Sequence, residues 1–354
     1  MVQKLKARIE ELRSTGRLPS PTGVALEILR VTNKEDATPD ELAKVIQADP
    51  AMTARLLKYA NSARSASRKP ITTAKEAVLR LGFTAVRQLA LGFSLLSQYR
   101  HGPCKPFNYE AFWSRSLARA VSGRILSIEK KVSDPEEAFT CGLLGSIGVL
   151  ALTSAHPELY GEILLRYRRD PKQNLRELER ETFAIDHQEL TACLLVEWGL
   201  PEELASAVFH SLDPEKSELP RDSKVYQLAM ILHVAEVYAS LCIADEVHRH
   251  RLIPAFLSAG KQLGFEAEAL AKLYDQIVVD WKEWGSILDV QTKDQRSLRE
   301  FLAAQAPSSE TAQEQEGGEE SKAERKDLGQ ISEPQEEIRV LVVEDNPLDK
   351  KLLE

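Results

Sequence analysis

Over residues 1–302 the apolar side chains recur at intervals of three and four, bracketed by helix start and stop signals, and this constrains the chain to pack helices. Thr38-Pro39-Asp40-Glu41 supplies an N-cap, a Pro at the first helical position and early acids, and Leu42, Val45 and Ile46 then line one face. Asp49-Pro50 opens another helix, with Met52, Leu56, Tyr59 and Ala60 on a stripe. Thr73 and Glu76 have capping-box spacing ahead of Val78 and Leu81, and Asp186 and Glu189 repeat it. That last helix is expected to stop at Gly199, before Leu200-Pro201-Glu202-Glu203 opens the next. Leu270, Leu273, Ile277, Trp281, Trp284 and Leu288 predict a long amphipathic helix that either completes the core or forms a dimer seam. Alternating strand-like runs are almost absent, so the body is expected to be all-α.

At 354 residues the chain exceeds a typical single domain, which predicts one large body and something else. A hydrophobic content of 43% with only 6% aromatics suits a helical globular protein. The net charge of −8 belongs to the end of the chain. Residues 303–337 hold ten acidic and three basic residues, residues 338–354 four and three, which leaves forty of each sign in residues 1–302. A neutral body gives no reason to expect a nucleic-acid partner. Cys104, Cys141, Cys193 and Cys242 form no CxxC pair, which predicts reduced, mostly buried thiols rather than a zinc site. The start Met-Val-Gln-Lys-Leu-Lys has no apolar leader, and no run of about 18 apolar residues occurs, so no spanning helix and a cytoplasmic location are expected.

Residues 303–337 are rich in Gln, Glu, Ser and Gly, carry Pro307 and Pro334, and have almost no large apolar side chain to bury. They predict a mobile, self-repelling linker. Ile338-Arg339-Val340-Leu341-Val342-Val343 is the one convincing buried strand, followed by Glu344-Asp345-Asn346-Pro347 and a helix start at Leu348. One strand and one helical turn cannot form a domain, so the chain is expected to stop inside a second one.

The segment Ala48-Asp49-Pro50-Ala51-Met52-Thr53-Ala54-Arg55-Leu56-Leu57-Lys58-Tyr59-Ala60-Asn61-Ser62-Ala63 resembles the signature of the HDOD, or HD-related output, family. Pro70-Ile71-Thr72-Thr73-Ala74, Ala77-Val78-Leu79-Arg80-Leu81-Gly82 and Trp198-Gly199-Leu200-Pro201 continue the match, over about residues 18–240, with residues 241–302 as a helical extension. The resemblance implies an all-helical domain of bacterial signalling proteins, often joined to receiver or GGDEF modules. Elementary chemistry gives Asp49, Pro50 and Asn61 mainly structural work as helix caps. A partner or ligand surface including Trp198 is the alternative.

The related HD phosphohydrolases gather a first His, a His-Asp pair, further histidines and a closing Asp around metal. In the stretch that resembles the first-His segment, Phe112-Trp113-Ser114-Arg115-Ser116-Leu117, the position belongs to Arg115, whose permanent positive charge repels a cation. Cys141-Gly142-Leu143-Leu144-Gly145-Ser146-Ile147-Gly148 resembles the segment of the His-Asp pair, with Gly145 and Ser146 in its place. Neither can replace imidazole and carboxylate as a ligand. Val234-Ala235-Glu236-Val237 resembles the closing-Asp segment, with Glu236 one methylene longer. His187 and His210 fall where later histidines stand, although Ser211 follows where a second His is common. No catalytic metal or other cofactor is therefore expected in the body. The alternative is an active HD-type phosphohydrolase, cyclic-nucleotide phosphodiesterase-like, using His187, His210 and Glu236.

Two weaker constellations have plainer readings. Asp245, Glu246, His248 and His250 are close in sequence, but His at i and i+2 point apart on a helix, which suggests a solvated turn. Arg166, Arg168 and Arg169 with Tyr160 and Tyr167 suggest either a nucleic-acid patch or a solvated helix face, and the balanced charge favours the face.

The strand over 338–343 and Glu344-Asp345 resemble the start of a response-regulator receiver domain, in which the acidic pair holds Mg²⁺ beside a phosphorylatable Asp. The acceptor would lie beyond Glu354. The expectation is therefore a non-catalytic module of a two-component phosphorelay that binds a signalling partner or its own receiver or output domain. A histidine kinase would act on the complete receiver. A nucleotide- or nucleic-acid-binding sensor is the third class considered.

Overall fold

The computed structural model describes residues 9–34, 36–61, 70–170 and 173–299. The helices are α1 (Gly23–Thr32), α2 (Pro39–Gln47), α3 (Pro50–Ala60), α4 (Ala74–Gln98), α5 (Tyr109–Lys130), α6 (Pro135–Leu144), α7 (Ile147–Ala155), α8 (Pro157–Arg169), α9 (Leu175–Phe183), α10 (His187–Glu197), α11 (Glu202–His210), α12 (Lys224–Ile243), α13 (Glu246–Gln262) and α14 (Ala267–Leu288). No strand occurs among the described residues. The predicted linker over 303–337 and the strand and acidic pair beyond it lie outside them.

The helix starts follow from local chemistry. Thr38 Oγ1 accepts from the amide of Glu41 at 3.2 Å, and Glu41 Oε2 accepts from the amide of Thr38 at 3.1 Å. Asp49 Oδ1 accepts from the amides of Ala51 and Met52 at 2.9 and 3.0 Å. Thr73 with Glu76 and Asp186 with Glu189 close the same reciprocal box, each satisfying donors that a helix start leaves free. Within α4, Gly82 has φ 80° and ψ 164°, so the helix breaks there. An L residue would resist that left-handed φ.

Helix α5 is the axis of the body. All sixteen residues from Phe112 to Ser127 are buried, because α6, α12 and α14 pack around it. Close approach requires a glycine: a Cβ on Gly142 of α6 would lie 2.6 Å from Ala120 Cα. Helices α1, α2 and α3 pack on α4, α10 packs on α7 and α11, and α12 carries α11 and α13 on its flanks.

Helix α14 closes the core within this chain. Trp281 is fully buried and its Nε1 donates to the carbonyl of Ser114 at 3.0 Å. Trp284 stacks obliquely on Tyr59 and Phe139, with ring centroids 4.9 and 5.2 Å apart. The apolar stripe predicted from the sequence is thus core packing.

Three segments, Ala74–Gln98, Pro135–Ala155 and Lys224–Ile243, are long and apolar enough to cross a membrane by length and composition, contrary to the sequence expectation. Their apolar character has a packing explanation for the last two, whose most apolar windows are 94% and 89% buried inside the body.

Candidate functional site

The positions that resemble an HD metal site meet at one buried point. Helix α5 presents Arg115 and Arg119, four residues apart and hence on one face. Helix α12 presents Glu236 opposite them, and the turn between α6 and α7 brings Gly145 and Ser146 alongside.

The three charged groups form a clamp. Arg115 Nε donates to Glu236 Oε1 at 2.6 Å, its Nη2 also pairs with that oxygen, and Nη2 reaches Ser240 Oγ at 2.8 Å. Arg119 Nη1 donates to Glu236 Oε2 at 2.8 Å and to Ser146 Oγ at 2.7 Å, while its Nε donates to the carbonyl of Gly142 at 2.6 Å. Arg115, Arg119 and Glu236 are only 6%, 7% and 6% exposed. Burial by itself would raise the Glu236 carboxyl, but Arg115 and then Arg119 outweigh it and hold that group below its ordinary value. Burial lowers the Arg119 guanidinium against the pull of Glu236.

These residues do not fit a divalent cation. Both oxygens of the one carboxylate are engaged by guanidinium groups, and the remaining positions offer a hydroxyl and no side chain at all. Gly145 matters for shape too: a Cβ there would lie 2.7 Å from the Cys141 carbonyl oxygen and 3.4 Å from Arg119 Cζ. The histidine expected at this position would therefore collide with its surroundings. Among the described residues no group of three or more His, Cys, Asp or Glu side chains stands where it could hold a metal.

The retained histidines do not join the clamp. His187 begins α10, and its Nδ1 lies 2.6 Å from Oε2 of the fully buried Glu179. Tyr160 donates to the other oxygen of Glu179 at 2.6 Å. Burial would lower the His187 imidazole, but Glu179 prevails and raises it. His210 ends α11 beside the Phe209 ring, and partial burial lowers its imidazole.

The family-motif residues act on the backbone. Asp49 caps α3 ahead of Pro50, and Asn61 ends that helix. Asn61 Nδ2 donates to the carbonyls of Leu57 and Ile71 at 3.0 and 2.7 Å, and its Oδ1 accepts from the Ile71 amide at 2.8 Å. Trp198 is buried at the end of α10, and the next residue, Gly199, accepts from Arg87 Nη2 of α4 at 2.6 Å. Lys58 and Asn61 of this region also border an open hollow of about 590 Å³, together with Glu283 and Ile287 of α14.

The two weaker constellations take the plainer of their readings. Asp245 is exposed in the short link before α13, as a solvated turn requires, and it also caps that helix by accepting from the His248 amide at 2.8 Å, with the exposed side chain of His248 folded back on it. The basic run in α8 is a solvated face in which Arg166 and Arg169 are exposed, while Arg168 donates to the Pro106 carbonyl at 2.7 Å and Tyr160 is fully buried. Tyr160 therefore has no face to offer a base. All four cysteines are free, and three are buried.

The model of the HDOD domain matches residues 18–214, more than half of the chain. The chain belongs to the HDOD family. The matched range ends before α12, so the HDOD match includes Arg115, Arg119, Gly145 and Ser146 but not Glu236. An uncharacterized protein of Treponema pallidum (strain Nichols) is 28% identical over 225 residues, 61% of this chain and 41% of its own length. The match thus spans about two fifths of that curated relative. An HDOD domain protein with unknown function from Geobacter sulfurreducens is 20% identical, with a TM-score of 0.57 over 82% of this chain and 98% of its own. A candidate phosphohydrolase from Shewanella amazonensis SB2B is 24% identical, with a TM-score of 0.58 over 80% and 98%. Both show the HDOD helical fold. The MmoQ response regulator from Methylococcus capsulatus str. Bath is 37% identical over 73% of this chain and 98% of its own, with a TM-score of 0.46.

Sequence reasoning missed Arg119. The signal was its position one helical turn after Arg115, on a helix too rich in Ala, Ser and Leu to have a solvent face.

Proposed function

We propose that the HDOD body is a non-catalytic signalling module that acts by binding a protein partner or a receiver domain of its own chain. The observation that carries this reading is the clamp: Glu236 is neutralised by two buried guanidinium groups at the point where an HD hydrolase would need metal ligands. Arginine keeps its proton at any working pH, so the clamp does not open to admit a cation by simple deprotonation. Restoring a metal would require displacing charges that are themselves buried and hydrogen-bonded.

Residues 338–354 are, on this proposal, the beginning of a receiver domain in which Glu344 and Asp345 help to hold Mg²⁺, with a cytoplasmic histidine kinase as phosphate source. Residues 303–337 then act as a tether. A tether converts docking between body and receiver into an intramolecular event with raised effective concentration. Phosphorylation would shift which surface of the body is free.

Metal analysis of the purified chain, paired with a hydrolysis assay on cyclic nucleotides and a chromogenic phosphodiester in added Mn²⁺, tests the first part. The expected outcome is sub-stoichiometric metal and no turnover above the protein-free rate. Near-stoichiometric iron, manganese or zinc with turnover lost in Glu236→Gln would replace this proposal with the phosphohydrolase reading. For the second part, body–receiver contacts in the complete protein that ignore phosphorylation would overturn receiver control.

A further inference from the structure

Helix α8 leaves one face uncovered, and that face carries both apolar and charged side chains. Leu159 and Leu165 are 46% and 41% exposed, two of the five large apolar side chains left on the surface among the described residues. Glu158, Glu162, Arg166 and Arg169 are exposed as well. At the helical period these six positions fall within one arc of about 120°, with the two leucines at its edges and the charges between them. Helix α9 borders the arc on one side, where Arg166 stands 4.0 Å from Glu181. The turn at 104–106 borders it on the other, with Pro106 packed on Gly161 and accepting from Arg168.

The order of the charges has a local cause, since acids early in a helix and bases late in it suit the helix dipole. The dipole gives no reason for leucines to flank those charges in water. Nor are the charges consumed within the body. The pair that Arg166 makes with Glu181, with side chains 53% and 68% exposed, is worth little and leaves the guanidinium open to a second carboxylate. The side chains of Glu162 and Arg169 make no ion pair or hydrogen bond among the described residues. The face is therefore self-complementary: acidic at one end, basic at the other and apolar along both edges.

We propose that this face pairs with the same face of a second copy of the chain, antiparallel, about a two-fold axis level with Leu164. That register sets Glu162 of each copy against Arg166 of the other and brings Glu158 within reach of Arg169. It packs the two Leu165 side chains together near the axis and lays Leu159 along the apolar stem of Arg169. Parallel pairing in register would set like charges together, which opposes it. An isologous contact of this kind closes on itself and builds a dimer. One helix face is smaller than a standard interface, so the association is weak and depends on concentration. The inference goes beyond the signalling role and stands on α8 alone.

Sedimentation of the whole chain, from about 10 µM to about 1 mM, tests the pairing, because a small interface fills only at the upper end of such a range. The mass should rise from monomer towards dimer and go no further. Glu162→Arg and Arg166→Glu each place like charges across the axis twice, and each should weaken the dimer by at least about tenfold. Both positions are exposed, so both variants should keep the parent's circular dichroism. An equal mixture of the two variants should recover the dimer, because every pair across the axis is then of opposite sign. A role confined to α8 within one chain would not produce that recovery. A parent that stays monomeric to about 1 mM, a dimer that persists in either variant, or a mixture that stays monomeric would overturn the proposal.

Discussion

Two buried glutamates organise this body, and they are held in opposite ways. Glu236 is gripped by two arginines whose charge is fixed, whereas Glu179 is shared between Tyr160, a neutral donor, and His187, whose charge depends on pH. Both sites are nearly inaccessible to water, so each charge needs a partner inside the protein. The clamp is consequently indifferent to pH near neutrality. The Glu179 site is built to respond to it, and it touches the clamp's own framework, since a Cβ on Gly148 of α7 would meet the His187 carbonyl oxygen at 2.0 Å.

The comparison breaks most readily at Glu236. Glu236→Gln leaves two buried guanidinium groups facing a neutral amide, and should cost about 3–5 kcal/mol in chemical denaturation or abolish folding. If the variant is as stable as the parent, the clamp is not what balances those charges. Glu179→Gln should cost less, about 1–3 kcal/mol, because only one partner carries a charge and the hydrogen bonds are partly retained.

The sign of the pH dependence separates the two sites. The His187 imidazole is raised, so its protonated pairing with Glu179 stabilises the fold fully below about pH 6.5, its ordinary value, and that contribution is lost as pH rises through the raised folded value. Glu236 is lowered, so its contribution is present above about pH 4.5 and is lost as pH falls through its folded value. Melting temperatures across pH 3–9 should therefore decline at the alkaline end in the parent, and His187→Gln should flatten that decline while leaving the acid limb unchanged. An unchanged alkaline decline would remove His187 from this role.

A smaller effect tests the shape of the clamp. Gly145→Ala should destabilise by about 1–3 kcal/mol, since its methyl group would press on the Cys141 carbonyl and the Arg119 guanidinium. Smallest is Asp49→Ala at about 1 kcal/mol, the ordinary value of a helix cap, with both buried glutamate sites untouched. A loss of partner binding in Asp49→Ala beyond that stability change would give the family motif a second task.

The fold was legible wherever its cause is local. Thr38, Asp49, Thr73 and Asp186 cap helices because a short polar side chain three residues from a free amide has little else to do. The convergence of Arg115, Gly145, Ser146 and Glu236 was legible through family resemblance and through no periodicity in this chain. Arg119 was not seen because an arginine in a helix reads as a solvated residue until the packing around it is known. The destination of α14 was equally non-local: an apolar stripe states that something must cover it, and only the three-dimensional arrangement shows that Ser114, Tyr59 and Phe139 do so.

The enclosure of α5 from Phe112 to Ser127 also gives the protein an internal clock. Amides on a helix with no solvent face exchange their hydrogens only when the whole body opens, whereas those of α3, which carries several exposed positions, exchange through local fluctuations. The slowest amides between Phe112 and Ser127 therefore report global stability, and a docked partner that protects α3 alone has bound without tightening the body.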